Sequence, residues 1–522
     1  MRYVKKNYHK YICLLFVSAI CILTSNGQDA ISTSHKDEVL YLIDKYVSIT
    51  PDFLRGLDSS VWNSKVERLL KAVDSSQNRI KYIFALRFFS SLLNDEHAAP
   101  GGSFPSQGFY NKNRYTNEKD TVFPVTVKTF KDGRTFVIKD YSGSIPIGSE
   151  LLKVNNLCVD SIGLLLEELH HAEKRYSLPV LNYFEQPDIR AWCILSTHLF
   201  MEGINQPFEV EYRLLEDTTK KSVVINGMMR GDIFNEYKRS GDKRNSVKHS
   251  PFSKKPIEYT KINDSIALLN INIFLGLNSF SLPFINFNSR YERLLRRAMN
   301  SIEKLRCKHL IIDIRENPGG YLGNIFHTLN YFTADTLTLH TWYKVSKESK
   351  EVAVPVLRDT YKLVYGKKKR GEQNESIQIF LNMQEGLLFR PDTLLPLAYS
   401  PVHNMKHRFN GKLYVLSDAL SYSASILFCS WIKQNGIGML VGEAPGGFVN
   451  VRGGMTVPVK LPSFKYQYMN VPYSVSSCFP NLIDGNDYLK MDYEIGVSCN
   501  EWLNNNDGDE VLKRVIKWIM KE

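Results

Sequence analysis

From Lys36 to about Asn94, apolar residues recur at helical spacing. Val39, Ile43 and Tyr46 share one face, Val66, Leu69 and Val73 share another, and a dense run KYIFALRFFSSLL follows. Steps of three and four residues return a side chain to the same side of a 3.6-residue turn, so three short helices in a small bundle are expected. At Phe123 the period changes to two: FPVTVKTF and RTFVIKDY alternate like half-buried strands. SGSIPIGSELLKVNNLCVDSIGLLLEEL then reads as turn, strand and helix, and EVEYRLL and SVVIN add strands up to about Gly227, which predicts a separate α+β module. The polar stretch Lys238 to Pro256 is the best linker candidate. IALLNINIF (Ile266 to Phe274) opens a third region of alternating strands and helices, the pattern of a sheet layered with helices. No internal repeat is evident. The expected division is 1–27 as a leader, 28–115 helical, 118–230 α+β, 231–256 linker and 257–522 core.

Composition agrees with a multidomain globular chain: 522 residues, 43% hydrophobic, 12% aromatic and 23% charged, enough apolar material for a large core. At the N-terminus, Lys5, Lys6 and Lys10 precede an apolar run from Tyr11 to Leu23, which is short for a membrane span, and Ser25 and Gly27 follow as small residues. This predicts a secretory signal peptide cleaved before Gln28 and an exported protein, periplasmic or extracellular, with no membrane span after signal removal. Ile20 ahead of Cys21 argues against a lipoprotein anchor; an uncleaved membrane anchor is the alternative. Removing residues 1–27 takes away four basic residues and no acids, so the formal charge drops from +12 to +8. The remaining clusters, KRSGDKRNSVKH and GKKKRG, read as solvated loops, because no nucleic-acid motif accompanies them. Cys158, Cys193, Cys307, Cys429, Cys478 and Cys499 have neither zinc nor disulfide-scaffold spacing. Most are expected to pack as small apolar residues, with Cys478 and Cys499 as the candidate pair in an oxidising compartment.

Two segments of the third region carry candidate chemistry. SYSASILF (Ser421 to Phe428) follows GKLYVLSDAL, which reads as a buried strand, so three serines stand where strand turns into apolar helix. One hydroxyl can cap orphan helix amides. The other reading is a nucleophile on a strand-to-helix turn, where the first helical amides can also hold an oxyanion. KHLIIDIRENPGGYLGNIFHTLNYF has a strand at Leu310 to Ile314, a loop Asn317-Pro318-Gly319-Gly320, and a helix. Those glycines are either turn punctuation or a device that brings backbone N–H groups close to a ligand.

IIDIRENPGG, YVLSDALSYSAS and MLVGEAPGG, in that order, resemble the core of the tail-specific, or C-terminal-processing, serine peptidases. IPIGSELLKVNN resembles the PDZ-type module of that family, NDEHAAPGG the Asp-x-His segment of its tricorn-like branch, and DYEIGVSCNEWLNNNDGDEVLKRVI its usual C-terminal end. The resemblance implies a multidomain α/β protein: an N-terminal helical bundle, a PDZ-like α+β module, and a crotonase-like β/α spiral as peptidase core. It places the nucleophile at Ser423, gives Ser421 and Ser425 lesser roles, and makes the oxyanion hole from the Ala424 amide and one from Gly319 or Gly320.

Two positions depart from the family pattern. Where the lysine-dependent branch carries its base, this chain has Phe448, which cannot take a proton, so the resemblance turns to the histidine-using branch and to His97. Imidazole suits the role because its ordinary pKa of ~6.5 lets it accept a proton at neutral pH. Its orienting acid is Asp95, Glu96 or one near Asp484, and the sequence does not choose. Ile426 stands where the family usually has an acid, so one polar contact at the helix start is lost. Of the other histidines, His309 begins a buried strand and His327 sits on the helix after the glycine loop. There is no Gly-x-Ser-x-Gly elbow and no His-Glu-x-x-His zinc motif, and the two Ser-x-x-Lys matches, at Ser240 and Ser301, lack their companion motifs. The expectation is an exported serine peptidase acting on peptide or unfolded protein, with no metal or cofactor and no nucleic-acid partner. The rival is a non-catalytic peptide- or lipid-binding protein on the same scaffold.

Overall fold

A computed structural model describes residues 35–74, 121–162, 195–240, 255–275 and 287–521, with short breaks that include 391–397 and 480–487. At its centre is a six-stranded sheet in the order Tyr493–Glu494, Met439–Gly442, Lys412–Ser417, His309–Asp313, Ile266–Ile271 and Ile257–Lys261. All neighbours are parallel except the last pair. The strands HLIID, KLYVLS and IALLNI are almost continuous apolar runs because both faces are covered. Leu310, Ile312, Val415 and Leu440 point into one core, shared with helices Phe287–Leu305 and Ala424–Gln434. Ile311, Tyr414, Leu416 and Val441 point into a second core, closed by Val515 and Ile519 of helix Glu510–Ile519. Each such fully buried aliphatic side chain stabilises the fold by about 1.5–3 kcal/mol relative to exposure.

The register aligns the strand ends, with Asp313 opposite Leu416 and Ser417 opposite Gly442. The loops after these strands therefore leave from one edge, the carboxyl edge, where open α/β sheets place their ligands.

Strands Val125–Thr129, Thr135–Asp140, Glu150–Val154, Leu157–Cys158, Phe208–Arg213 and Lys220–Ile225 form a separate antiparallel sheet with its own core. It touches the central region where Phe130 and Phe136 pack on Cys499. Residues Arg230–Ser240, which run into the expected linker 231–256, are helical, a polar helix whose composition resembles a loop.

Helices His35–Ile49 and Ser59–Asp74 appear as the apolar spacing predicts; the third expected helix lies outside the described residues. The two share a core with Tyr343, Phe380, Val459 and Tyr473. Tyr46, fully buried, accepts a 2.6 Å hydrogen bond from the Arg452 guanidinium, and the Thr50 hydroxyl donates to the Pro472 carbonyl at 2.7 Å. The protein is thus a mixed α/β, multidomain chain.

Cys478 and Cys499 are both free thiols. Cys478 sits in the central core with its Sγ 3.7 Å from the Leu427 carbonyl, whereas Cys499 faces Phe130 and Phe136 in another cluster, so the candidate disulfide is not formed. Among the described residues no group of acids, histidines and cysteines could hold a metal ion, and no helix is long and apolar enough to cross a membrane. The leader lies outside the described residues.

Candidate active site

The strand Lys412–Ser417 turns at Asp418 and re-enters the core as helix Ala424–Gln434, with Ser423 at the junction. Ser423 has φ 56° and ψ −117°, outside the regions that a residue with a Cβ normally occupies. Such a conformation costs about 1–3 kcal/mol and persists only where its surroundings over-determine it. Its side chain makes no hydrogen bond to the first helical amides, so it does not act as a cap.

The flanking serines have structural work instead. Both are fully buried. The Ser421 hydroxyl lies 2.8 Å from the Ile314 carbonyl it donates to and 3.1 Å from Asp418 Oδ1. The Ser425 hydroxyl donates to the Asn317 carbonyl at 2.9 Å. Each therefore stitches the elbow to the segment after strand His309–Asp313, whereas Ser423 sits at the turn itself.

That neighbouring segment is organised by Asn317, which is fully buried. Its side-chain amide donates to the Ile271 carbonyl at 2.8 Å, and its Oδ1 accepts from the Gly319 amide at 2.9 Å. Its own carbonyl also accepts from the Tyr422 amide at 3.0 Å. One side chain and one peptide group thus lock three loops together. The glycines are required by close approach. With φ +102°, Gly319 lies so near the elbow that an added Cβ would meet Ala424 N at 2.7 Å. With φ +139°, Gly320 pairs with Phe274, and a Cβ there would meet the Phe274 carbonyl at 2.7 Å. The glycine loop and the first amide of the elbow helix are therefore in direct contact.

Carboxyl groups line the base of this contact. Asp418 Oδ1 accepts from the Glu316 amide at 2.9 Å and the Leu420 amide at 3.0 Å. Burial pushes the Asp418 carboxyl up, partly offset by the Glu316 amide and the Arg315 charge. Arg315 Nε donates to Asp313 at 3.0 Å and its Nη1 to Asp509 at 2.8 Å. Glu316, at φ 61°, is pushed up to about 8 by burial and by the neighbouring Asp418 charge. Sequence reasoning missed Asp418, Glu316 and the organising role of Asn317; the Asp at a strand end, three residues before a serine, was the available signal.

The remaining expected positions separate cleanly. Ser423, Ala424, Gly319 and Gly320 come together. His97, Asp95, Glu96 and Asp484 lie outside the described residues. Phe448, at the position where the resemblance expects a lysine base, is buried with its ring 4.7 Å from that of Tyr488. Ile426 is buried in the central core, where an acid would be strongly disfavoured. His327 Nε2 is 3.0 Å from Glu292 on helix Phe287–Leu305, and His309 Nδ1 is 3.3 Å from the Tyr414 hydroxyl, so both are engaged by their own packing neighbours.

Residues 273–470, which contain the glycine loop and the serine elbow, match the model of Peptidase family S41. The match is to this segment, whose motifs are those of a serine-type peptidase. The fold is also similar to that of mature CPAF. A structure of mature CPAF complexed with lactacystin is 13% identical with a TM-score of 0.60, covering 94% of this chain and 98% of that one. A crystal structure of mature CPAF, also 13% identical, has a TM-score of 0.58 and covers 90% of this chain and 93% of that one. No match was found among curated proteins.

Proposed function

We propose that the protein is an exported serine peptidase that cleaves peptide bonds through an acyl-enzyme on Ser423. The observation that carries this reading is the strained backbone of Ser423, at φ 56° and ψ −117°, combined with a side chain that caps nothing. Strain of this kind is maintained where a reactive group must be presented.

In the proposed reaction Ser423 Oγ adds to the substrate carbonyl carbon while its proton passes to the His97 imidazole. The oxygen that becomes negative is held by backbone amides, Ala424 first. Gly319 spends its amide on Asn317 Oδ1 at 2.9 Å, so Gly320 is the second donor in this reading. Collapse of the intermediate breaks the C–N bond, the leaving amine takes the imidazolium proton, and water, deprotonated by the same imidazole, releases the acyl group. No metal or cofactor enters. The antiparallel module fits the PDZ-like role expected from IPIGSELLKVNN, that of holding a peptide or chain end, and the central region fits the crotonase-like spiral. His97 belongs with the lysine-lacking, histidine-using branch, given Phe448.

Labelling with a fluorophosphonate, located by peptide mass, tests the reading. Label on Ser423, abolished in Ser423→Ala and His97→Ala and not restored by Phe448→Lys, is the expected result. Full labelling and turnover in His97→Ala would remove the histidine from the mechanism. A wild type that takes no label and cleaves no unfolded protein, yet binds peptide or lipid, would make the protein a binding scaffold.

A further inference from the structure

One oxygen, Asp418 Oδ1, gathers hydrogen bonds from two loops. The Glu316 amide reaches it at 2.9 Å from the head of the Pro-Gly-Gly segment. The Leu420 amide reaches it at 3.0 Å from the approach to Ser423, with the Ser421 hydroxyl, whose proton goes to the Ile314 carbonyl, 3.1 Å away. This one oxygen therefore fixes the distance between the two pieces of backbone that carry Gly320 and Ala424.

Beside it lies a second carboxyl with different surroundings. Glu316 Oε2 is sealed from solvent and has no hydrogen-bond partner among the described residues. The charged groups facing it are Asp418 at the end of strand Lys412–Ser417, Arg315 and Asp313 on its own side, and Lys128 from the antiparallel module. Arg315 is already committed to Asp313 and Asp509. Two adjacent buried carboxyls with so little free positive charge cannot both ionise without a large penalty. The two backbone amides aimed at Asp418 Oδ1 assign it the negative charge and leave the proton on Glu316.

We propose that Asp418 and Glu316 are a positioning pair for the oxyanion hole: charged Asp418 clamps the glycine loop to the serine elbow, and the proton on Glu316 keeps that clamp unopposed. The inference rests on the reading of Ser423, Ala424 and Gly320 given above. Once Glu316 ionises, a second negative charge pushes on Asp418 and moves the loop against the elbow. Misplacement by about 1 Å in such a site costs on the order of 10²-fold in rate.

The test is the rate of Ser423 labelling by a fluorophosphonate from about pH 6 to about pH 10, for wild type, Glu316→Gln, Asp418→Ala and Asp418→Asn, each with a melting curve. Wild-type labelling should fall as pH rises through about 8. Glu316→Gln, permanently neutral, should hold its own neutral-pH rate across that range. Asp418→Ala should label about 100-fold more slowly, the scale of a lost oxyanion donor, and Asp418→Asn, which keeps the acceptor oxygen, should recover at least about tenfold of that. If Asp418→Ala does not fold, the Glu316→Gln profile decides. A labelled wild type whose alkaline fall persists unchanged in Glu316→Gln overturns the pair alone. A wild type that never labels overturns the nucleophile reading and the pair with it.

Discussion

A methyl group on Gly319 would lie 2.7 Å from the Ala424 amide nitrogen and 2.9 Å from Ser423 Cβ. The atoms it would meet are backbone and Cβ, which cannot rotate away, and φ +102° adds strain for any other residue. Gly319→Ala must therefore part the glycine loop from the elbow or distort both. The expected outcome is a loss of about 100-fold or more in acylation rate, with destabilisation of about 1–3 kcal/mol. Single-turnover labelling and denaturant unfolding measure the two; a normal rate would mean that the loop plays no part in catalysis.

The three serines should respond to alanine in different observables. Ser423→Ala removes the atom that forms the covalent bond, and kcat should fall on the order of 10⁴-fold or more, with little change in stability. Ser421→Ala and Ser425→Ala each remove a buried hydroxyl that ties the elbow to Ile314 or Asn317. Those variants should lose about 0.5–1.5 kcal/mol of stability and far less activity. A dead Ser425→Ala beside an active Ser423→Ala would shift the nucleophile by two residues.

Much of this architecture was legible because it rests on local pattern. The apolar runs at 310–314 and 411–420 announced the central strands, observed at His309–Asp313 and Lys412–Ser417, and the motif order brought Ser423, Ala424, Gly319 and Gly320 together. What the sequence hid depends on distant partners. Asp418 and Glu316 are 102 positions apart, and neither residue type has a period that reveals a hydrogen bond across loops. Helix Arg230–Ser240 falls almost wholly within the expected linker 231–256 and gives no clear helical signal, because its residues are mostly polar and apolar spacing is weak. The N-terminal helices show an apolar face, but a face does not name what covers it; here Tyr343, Phe380, Phe389, Val459, Val471 and Tyr473 do. Likewise, the cysteines read as small apolar packing residues, but their spacing does not say which of them share a core, and Cys478 and Cys499 fall into different clusters.

The tie between the N-terminal helices and the central region has a testable centre. Tyr46 and Arg452 are both buried and joined at 2.6 Å, across 406 positions of chain. Tyr46→Phe keeps the ring and removes one acceptor from a buried guanidinium. A hydrogen bond to a charged group is worth about 1.5–3 kcal/mol, and the loss should appear as a lower denaturation midpoint with unchanged slope. No change in midpoint would mean that other partners of Arg452 carry its charge.

The raised Glu316 acidity also predicts how stability follows pH. Glu316 is displaced from an ordinary value near 4.5 to about 8, first by burial and then by Asp418. Between those values the folded chain holds a proton that the unfolded chain has released, so folding binds protons and stability falls as pH rises. Below 4.5 both states are protonated and above 8 both are ionised, so the contribution levels off at each end. Glu316→Gln removes this dependence while keeping the shape of the side chain. The melting temperature of the variant minus that of the wild type should therefore grow from about pH 5 to about pH 8 and then stay constant. A difference independent of pH would show that the carboxyl reaches solvent on ionising, and the alkaline weakening of the clamp would lose its physical cause.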